Sequence, residues 1–295
     1  MTVEIRDPRF GTVAGEDIAC EQVATGFLFT EGPLWHPQGW LLFSDMPGDH
    51  LRKWSAAGGM STFRKPCNQS NGLAWDPNGR LLACEHASSA LTRTEPDGRI
   101  TVLASRYQGK ELNSPNDVVV RSDGTIYFTD PSYGRAEYYG RPRACELDFR
   151  GVYSVRPDGT GLRLLADDFG QPNGLTFSAD EHVLFVNDTE RQHIRRFELR
   201  ADGTLAGGAE WARTVGEGEG GPDGMKLDVE SNLYCCGPGG IHVFAPDATC
   251  LGVVRTPEYV ANFAWGDADY RSLYITASSS LYRVRTRIAG RPQWR

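Results

Sequence analysis

The chain has 295 residues, 40% of them hydrophobic, with 34 Gly and 17 Pro. That apolar content can build a sizeable core, and so many turn formers argue against a helical protein. A net charge of −7 disfavours a nucleic-acid backbone or an anionic membrane surface as partner.

No stretch reaches the roughly 18 apolar residues of a membrane span, and the polar segment Met1 to Gly15 lacks the apolar core of a signal peptide. A cytoplasmic protein is therefore the expectation. In chain order, residues 1–16 read as an N-terminal extension, and Ile18 to Val23 (IACEQV) as the first strand of a single domain covering 1–295.

Six related segments follow: EGPLWHPQGWLLFSD from Glu31, NGLAWDPNGRLLACE from Asn71, NDVVVRSDGTIYFTD from Asn116, NGLTFSADEHVLFVND from Asn173, DGMKLDVESNLYCCG from Asp223 and NFAWGDADYRSLYITA from Asn262. Each opens on an acidic or amide residue, usually followed by Gly. A short apolar strand, a turn of Asp, Pro, Asn and Gly, and a second apolar strand come next. The repeat averages about 46 residues, which suits one four-stranded blade of a β-propeller. The rest of each unit supplies the outer strands, as in ALTRTE, Pro96-Asp97-Gly98 and RITVLA. No segment sustains a 3.6-residue apolar period, so no helix is assigned.

The last unit provides only three strands, NFAWG, SLYITAS and SLYRVRT. The N-terminal strand would supply the fourth and close the ring. The expected fold is thus all-β, a six-bladed propeller with four antiparallel strands per blade and the six polar residues around one axis, each at the start of an inner strand.

The connections after the second strands fall on the same face as these residues. The longest, Pro131 to Phe149 (PSYGRAEYYGRPRACELDF), reads either as a lid over the channel mouth or as a subunit contact such as that of a homodimer. Its Tyr133, Tyr138 and Tyr139 could stack on a sugar ring. The seven cysteines contain no CxxC pair and read as free, apolar thiols, with adjacent Cys235 and Cys236 on opposite faces of a strand.

Two carboxylates and four amides at one height suit a hard cation such as Ca²⁺, Mg²⁺ or Mn²⁺; zinc would more naturally want imidazole or thiolate. Asn and Asp also start strands as turn residues bonded to their own backbone. Both readings stay open for each Asn, while Glu31 is not a favoured turn residue.

The stretches FTEGPLW, NSPNDVVV, QPNGLTFS and GGPDGMKLD resemble the signatures of the SMP-30/gluconolactonase family, and FTDPSYG, ACEH and LTRTEPDG resemble its bacterial gluconolactonases. The likeness runs from about residue 25 to 285. It implies a six-bladed propeller with one divalent metal on the axis, calcium first and magnesium, manganese or zinc as alternatives, and hydrolysis of a sugar lactone such as glucono-1,5-lactone. By the same likeness Glu31, Asn173 and Asp223 are metal ligands, Asn116 a ligand or substrate contact, and Asn71 a substrate contact. Asn262 is read as a structural echo of the repeat.

A base must still take the proton of the attacking water, and Asp223, with one oxygen free of the metal, fills that role. His86 in ACEH is a candidate substrate contact or a packed histidine. Two further readings are another lactone or an organophosphate ester at the same site, and a non-catalytic binding scaffold. The facing carboxylates Glu31 and Asp223 argue against the scaffold, which has no use for two desolvated charges without a cation.

Overall fold

The computed structural model describes residues 3–292; the first two and last three residues of the expected domain lie outside the described residues. Six small antiparallel sheets form a six-bladed propeller. Blade one comprises Thr30–His36, Trp40–Asp45, His50–Ser55 and Gly59–Arg64; blade two Ser70–Trp75, Leu81–Glu85, Ala90–Thr94 and Ile100–Ala104. Blade three comprises Val118–Val120, Ile126–Asp130, Arg150–Val155 and Arg163–Phe169; blade four Pro172–Phe177, Val183–Asp188, His193–Leu199 and Leu205–Arg213. Blade five has Met225–Leu227, Leu233–Gly237, Gly240–Phe244 and Cys250–Val254, and blade six Val260–Gly266, Ser272–Ala277 and Ser280–Arg285.

The ring closes through the N-terminus. The closing strand is Glu21–Thr25 rather than Ile18 to Val23, and it pairs antiparallel with Ser280–Arg285. The shift follows from burial: Ile18 faces the core between blades five and six instead of entering a ladder. Residues 1–16 also do more than extend the chain. Val3–Ile5 adds a fifth strand to blade five by pairing with Cys250–Val254, and Phe10–Val13 forms one short helical turn. Phe10 is fully buried against blade five, so tertiary packing makes a helix where four residues of sequence carry no periodic signal. A two-stranded ribbon, Arg106–Tyr107 with Lys110–Glu111, was likewise not legible.

Period-two alternation lets each strand send side chains into two neighbouring interfaces. Cys235 packs with Phe185 and Phe244 toward blade four, and Cys236 with Phe263 toward blade six, on opposite faces as expected. All seven cysteines are free. Among the described residues no helix is long and apolar enough to cross a membrane.

Candidate active site

The blade architecture brings the six repeat residues together at one end of the channel, all buried, with exposures between 2% and 7%. Glu31, Asn71 and Asn173 are second in their inner strands and Asn262 third, whereas Asn116 and Asp223 lie two residues ahead of Val118–Val120 and Met225–Leu227. The expectation that every one begins a strand is corrected accordingly. Four inner strands break their pairing register here, between Glu31 and Leu34, Ser70 and Leu73, Pro172 and Leu175, and Val260 and Asn262. Such bulges re-aim a side chain, and they suit residues that must face an axis rather than a sheet neighbour.

The glycine after most of these residues has a packing cause. A Cβ on Gly32, which has φ of 50°, would lie 2.0 Å from the Asn71 carbonyl oxygen, and one on Gly174 would lie 2.1 Å from that of Asp223. Neighbouring blades converge so closely at the axis that a side chain has no room.

In blades one, three and four, two positions at the end of the second strand hold the ring. The first reaches the next blade: Ser44 Oγ donates to the Asn71 carbonyl at 2.7 Å, Thr129 Oγ1 to that of Asn173 at 2.8 Å, and Asn187 Nδ2 to that of Asp223 at 2.6 Å. The second is an Asp that accepts the loop entering its own inner strand. Leu28 N–H donates to Asp45 at 2.9 Å, Ser114 N–H to Asp130 at 2.7 Å and Gly170 N–H to Asp188 at 2.8 Å. These pairs stand in the sequence as FSD, FTD and VND, so the repeat that revealed the ring also carried its supports. Asp117 sits where four of the other blades have Gly; its Oδ1 accepts the Val118 N–H at 2.9 Å, and it also accepts from the Leu175 backbone of blade four, so it bonds between blades.

Glu31, Asn71, Asn116, Asn173, Asp223 and His86 line one cavity of about 120 Å³, with Phe29, Met46, Tyr133, Tyr139, Thr189 and Tyr259 as its remaining wall. Met46 and Thr189 directly follow second strands and Phe29 and Tyr259 directly precede inner strands, but each differs in residue type from its counterparts in the other blades. Asn262 is absent from this wall and lies behind it, its Nδ2 donating to Glu31 Oε2 at 3.0 Å. Gly32 N–H donates to the same oxygen at 2.6 Å. Of the three loop tyrosines, Tyr133 and Tyr139 face the cavity. Tyr138 braces the loop outside, its hydroxyl donating to the Leu28 carbonyl at 3.1 Å while Tyr139 packs edge-on against Phe29. The long loop of blade three therefore spans to blade one across the channel mouth.

Electrostatically the cavity is unusual. Burial, together with the charge of Asp117, raises the Glu31 pKa to about 7, and burial with the facing Glu31 pushes Asp223 well above the carboxylate range. Two acids so placed demand either protons or a cation. The four candidate ligands offer only hard oxygens: two carboxylates and the amides of Asn116 and Asn173. That set fits a divalent ion of the calcium type better than zinc. Among the described residues no three His, Cys, Asp or Glu side chains cluster as metal ligands, so the amides are needed to complete such a site. Asn173 Nδ2 donates to Thr189 Oγ1 at 3.2 Å, which leaves its amide oxygen for the cavity.

His86 is buried and its pKa is lowered to about 4, chiefly by desolvation. The Tyr139 carbonyl, 2.9 Å from Nδ1, can only accept, so Nδ1 carries the proton and Nε2 presents a lone pair toward Asn71 Nδ2 at 3.3 Å. Tyr259 O–H points at Asp223 Oδ2, 3.5 Å away.

Comparison with known proteins agrees with this geometry. Residues 29–279 match the family model described as SMP-30/Gluconolactonase/LRE-like region. A gluconolactonase of Zymomonas mobilis subsp. mobilis is 33% identical over 96% of this chain and 85% of its own length, and a pentonolactonase of Haloferax volcanii is 25% identical over 92% and 96%. A solved structure described as a Xanthomonas campestris gluconolactonase superposes with a TM-score of 0.89 at 34% identity, covering 97% of this chain and 95% of that one. With most of its length inside the family model, the chain belongs to the SMP-30/Gluconolactonase/LRE-like family.

Proposed function

We propose that this protein is a calcium-dependent lactonase that opens an aldonolactone, glucono-1,5-lactone first among them, to the aldonic acid. The observation that carries the reading is the meeting of Glu31, Asn116, Asn173 and Asp223, all buried, from four different blades in one small cavity. A cavity of about 120 Å³ is well below the roughly 300 Å³ where drug-sized pockets begin, and suits a single sugar ring. The names of the bacterial and archaeal relatives, gluconolactonase and pentonolactonase, support an aldonolactone of this size.

Glu31, Asn116, Asn173 and Asp223 would hold the metal. A divalent cation bound there supplies polarisation of the lactone carbonyl and a counter-charge for the oxyanion. Asp223 receives the proton of the attacking water as the oxygen–carbon bond forms, and the same proton can pass to the ring oxygen as the ester bond breaks. The Tyr259 hydroxyl limits the poses its Oδ2 can take. The bare Nε2 of His86 and the Asn71 amide form a polar wall for sugar hydroxyls. Phe29, Tyr133, Tyr139 and Tyr259 supply apolar faces for ring C–H groups and exclude bulk water.

The test is acid release from glucono-1,5-lactone, corrected for spontaneous opening, before and after chelation and with Ca²⁺, Mg²⁺, Mn²⁺ or Zn²⁺ restored. Loss on chelation and recovery with calcium is the expected result. Full activity in the chelated protein would overturn the reading.

A further inference from the structure

Beneath the cavity wall stands a cation that neither the repeat nor the metal site requires. Lys226 lies between Met225 and Leu227 on the inner strand of blade five; both neighbours are buried in the interface with blade four, so alternation turns Lys226 to the opposite face, toward blade six. Its Nζ donates to Asn262 Oδ1 at 3.1 Å and stands 5.5 Å from the centre of the Phe263 ring. Asn262 Oδ1 also accepts the Phe263 N–H at 2.9 Å. With two donors on its oxygen, the Asn262 amide can only present Nδ2 to Glu31, and it does so at 3.0 Å. Three consecutive blades are thereby linked in one chain, Lys226 to Asn262 to Glu31, and Glu31 Oε1 is left for the cavity.

Charge gives this chain a purpose. Glu31, Asp117 and Asp223 are three buried carboxylates around the channel, and Lys226 interacts electrostatically with Glu31 and Asp117. Three negative charges with one resident ammonium leave two, which one divalent ion balances. No Lys or Arg lines the cavity itself among the described residues. A second cavity of about 200 Å³ opens below Lys226 and Asp117 at the other end of the channel, so the ammonium also separates the site from solvent on that side.

We propose that Lys226 is a resident counter-cation of the metal site, coupled to it through Asn262, which is a positioning residue for Glu31. This rests on the lactonase reading above. The ammonium repels an incoming cation while keeping the bound one electron-poor, so it sacrifices metal affinity for carbonyl polarisation; the Asn262 amide acts in the other sense by holding Glu31 in one pose.

The two residues therefore respond with opposite signs. Calcium affinity is read on the full chain from the calcium-dependent rise in Tm and by calorimetric titration, and kcat and KM are read at saturating calcium. Lys226→Met should tighten calcium binding about 10-fold, because a like charge is gone, and lower kcat about 10-fold with KM little changed. Lys226→Arg should keep wild-type affinity. Asn262→Leu should weaken calcium binding by about 10-fold, the lower range for loss of an outer-shell partner. Lys226→Gln, which removes the charge while retaining an amide donor, should also bind calcium more tightly, and it carries the test if the methionine variant does not fold. A merely structural lysine would lower Tm, affinity and kcat together. Weaker or unchanged calcium binding in a folded Lys226→Met or Lys226→Gln variant, or unchanged binding in Asn262→Leu, overturns the proposal. A wild-type chain whose Tm and calorimetry show no response to calcium overturns instead the metal-dependent reading on which it rests.

Discussion

The two ends of the channel are built from the same inner strands, yet they treat their carboxylates differently. At the lower end Asp76 accepts Arg80 Nε at 2.7 Å and the backbone N–H groups of Asn78 and Arg80, each at 2.9 Å, and Glu181 accepts the hydroxyl of Ser122 at 2.5 Å together with its N–H. Both of these carboxylates have partners supplied by their own turn or the adjacent blade. At the upper end Glu31 and Asp223 face each other with the Asp117 charge beside both and the Lys226 ammonium acting on Glu31, and both are pushed up in pKa. A protein that satisfies its acids at one mouth and leaves two uncompensated at the other has kept the second pair for a cation or for protons.

Three experiments can break or sharpen that contrast. The largest effect is expected from Asp223→Asn, which removes the proposed base: kcat should fall by about 10³-fold, within the range for general-base loss, while the metal-free chain stays folded by circular dichroism. Near-wild-type turnover by this variant would move the base elsewhere, with His86 next to be examined.

The second is a pH profile. Glu31 titrates near 4.5 when unfolded and at about 7 in the folded, metal-free chain. Between these values the native state holds a proton that the unfolded state has lost, so stability is full below about 4.5 and declines as pH rises to about 7. Urea unfolding of the chelated protein across this window should show the decline, and saturating calcium should remove it. A flat profile in the chelated protein would mean that the upper carboxylates are already balanced.

The smallest effect belongs to the lower mouth. Asp76→Asn keeps an oxygen for the turn but loses the ion pair to Arg80, and it should cost about 1 kcal/mol of stability with kcat and calcium affinity unchanged. A change in calcium affinity would show that the two ends are coupled.

How far the sequence could be read differs from residue to residue. Glu31, Asn71, Asn116, Asn173 and Asp223 were found because each recurs at one place in a repeat, and the fold turns periodicity in sequence into proximity in space. Phe29, Met46, Thr189 and Tyr259 were not: Met46 and Thr189 directly follow second strands, as His86 does, and Phe29 and Tyr259 directly precede inner strands, but no residue type common to the blades marks these positions. Asn262 was assigned a structural part because the sixth blade usually contributes little in the family the sequence resembles; its bond to Glu31 joins residues 231 apart and exists only once the ring is closed. Lys226 looked like one polar residue in a short strand, and nothing local tells whether such a residue faces solvent or the next blade.

The sequence by itself determined the blades, their number and the polar residue at the head of each, because apolar alternation and turn chemistry act over a few residues. Tertiary structure alone decided the closing strand, the bulges that aim the ring inward, the loop drawn across the mouth, and which charges stand unpaired. Those depend on how six sheets converge on one axis, where a difference of an ångström sets whether an oxygen meets a hydrogen-bond donor, another carboxylate or a cation.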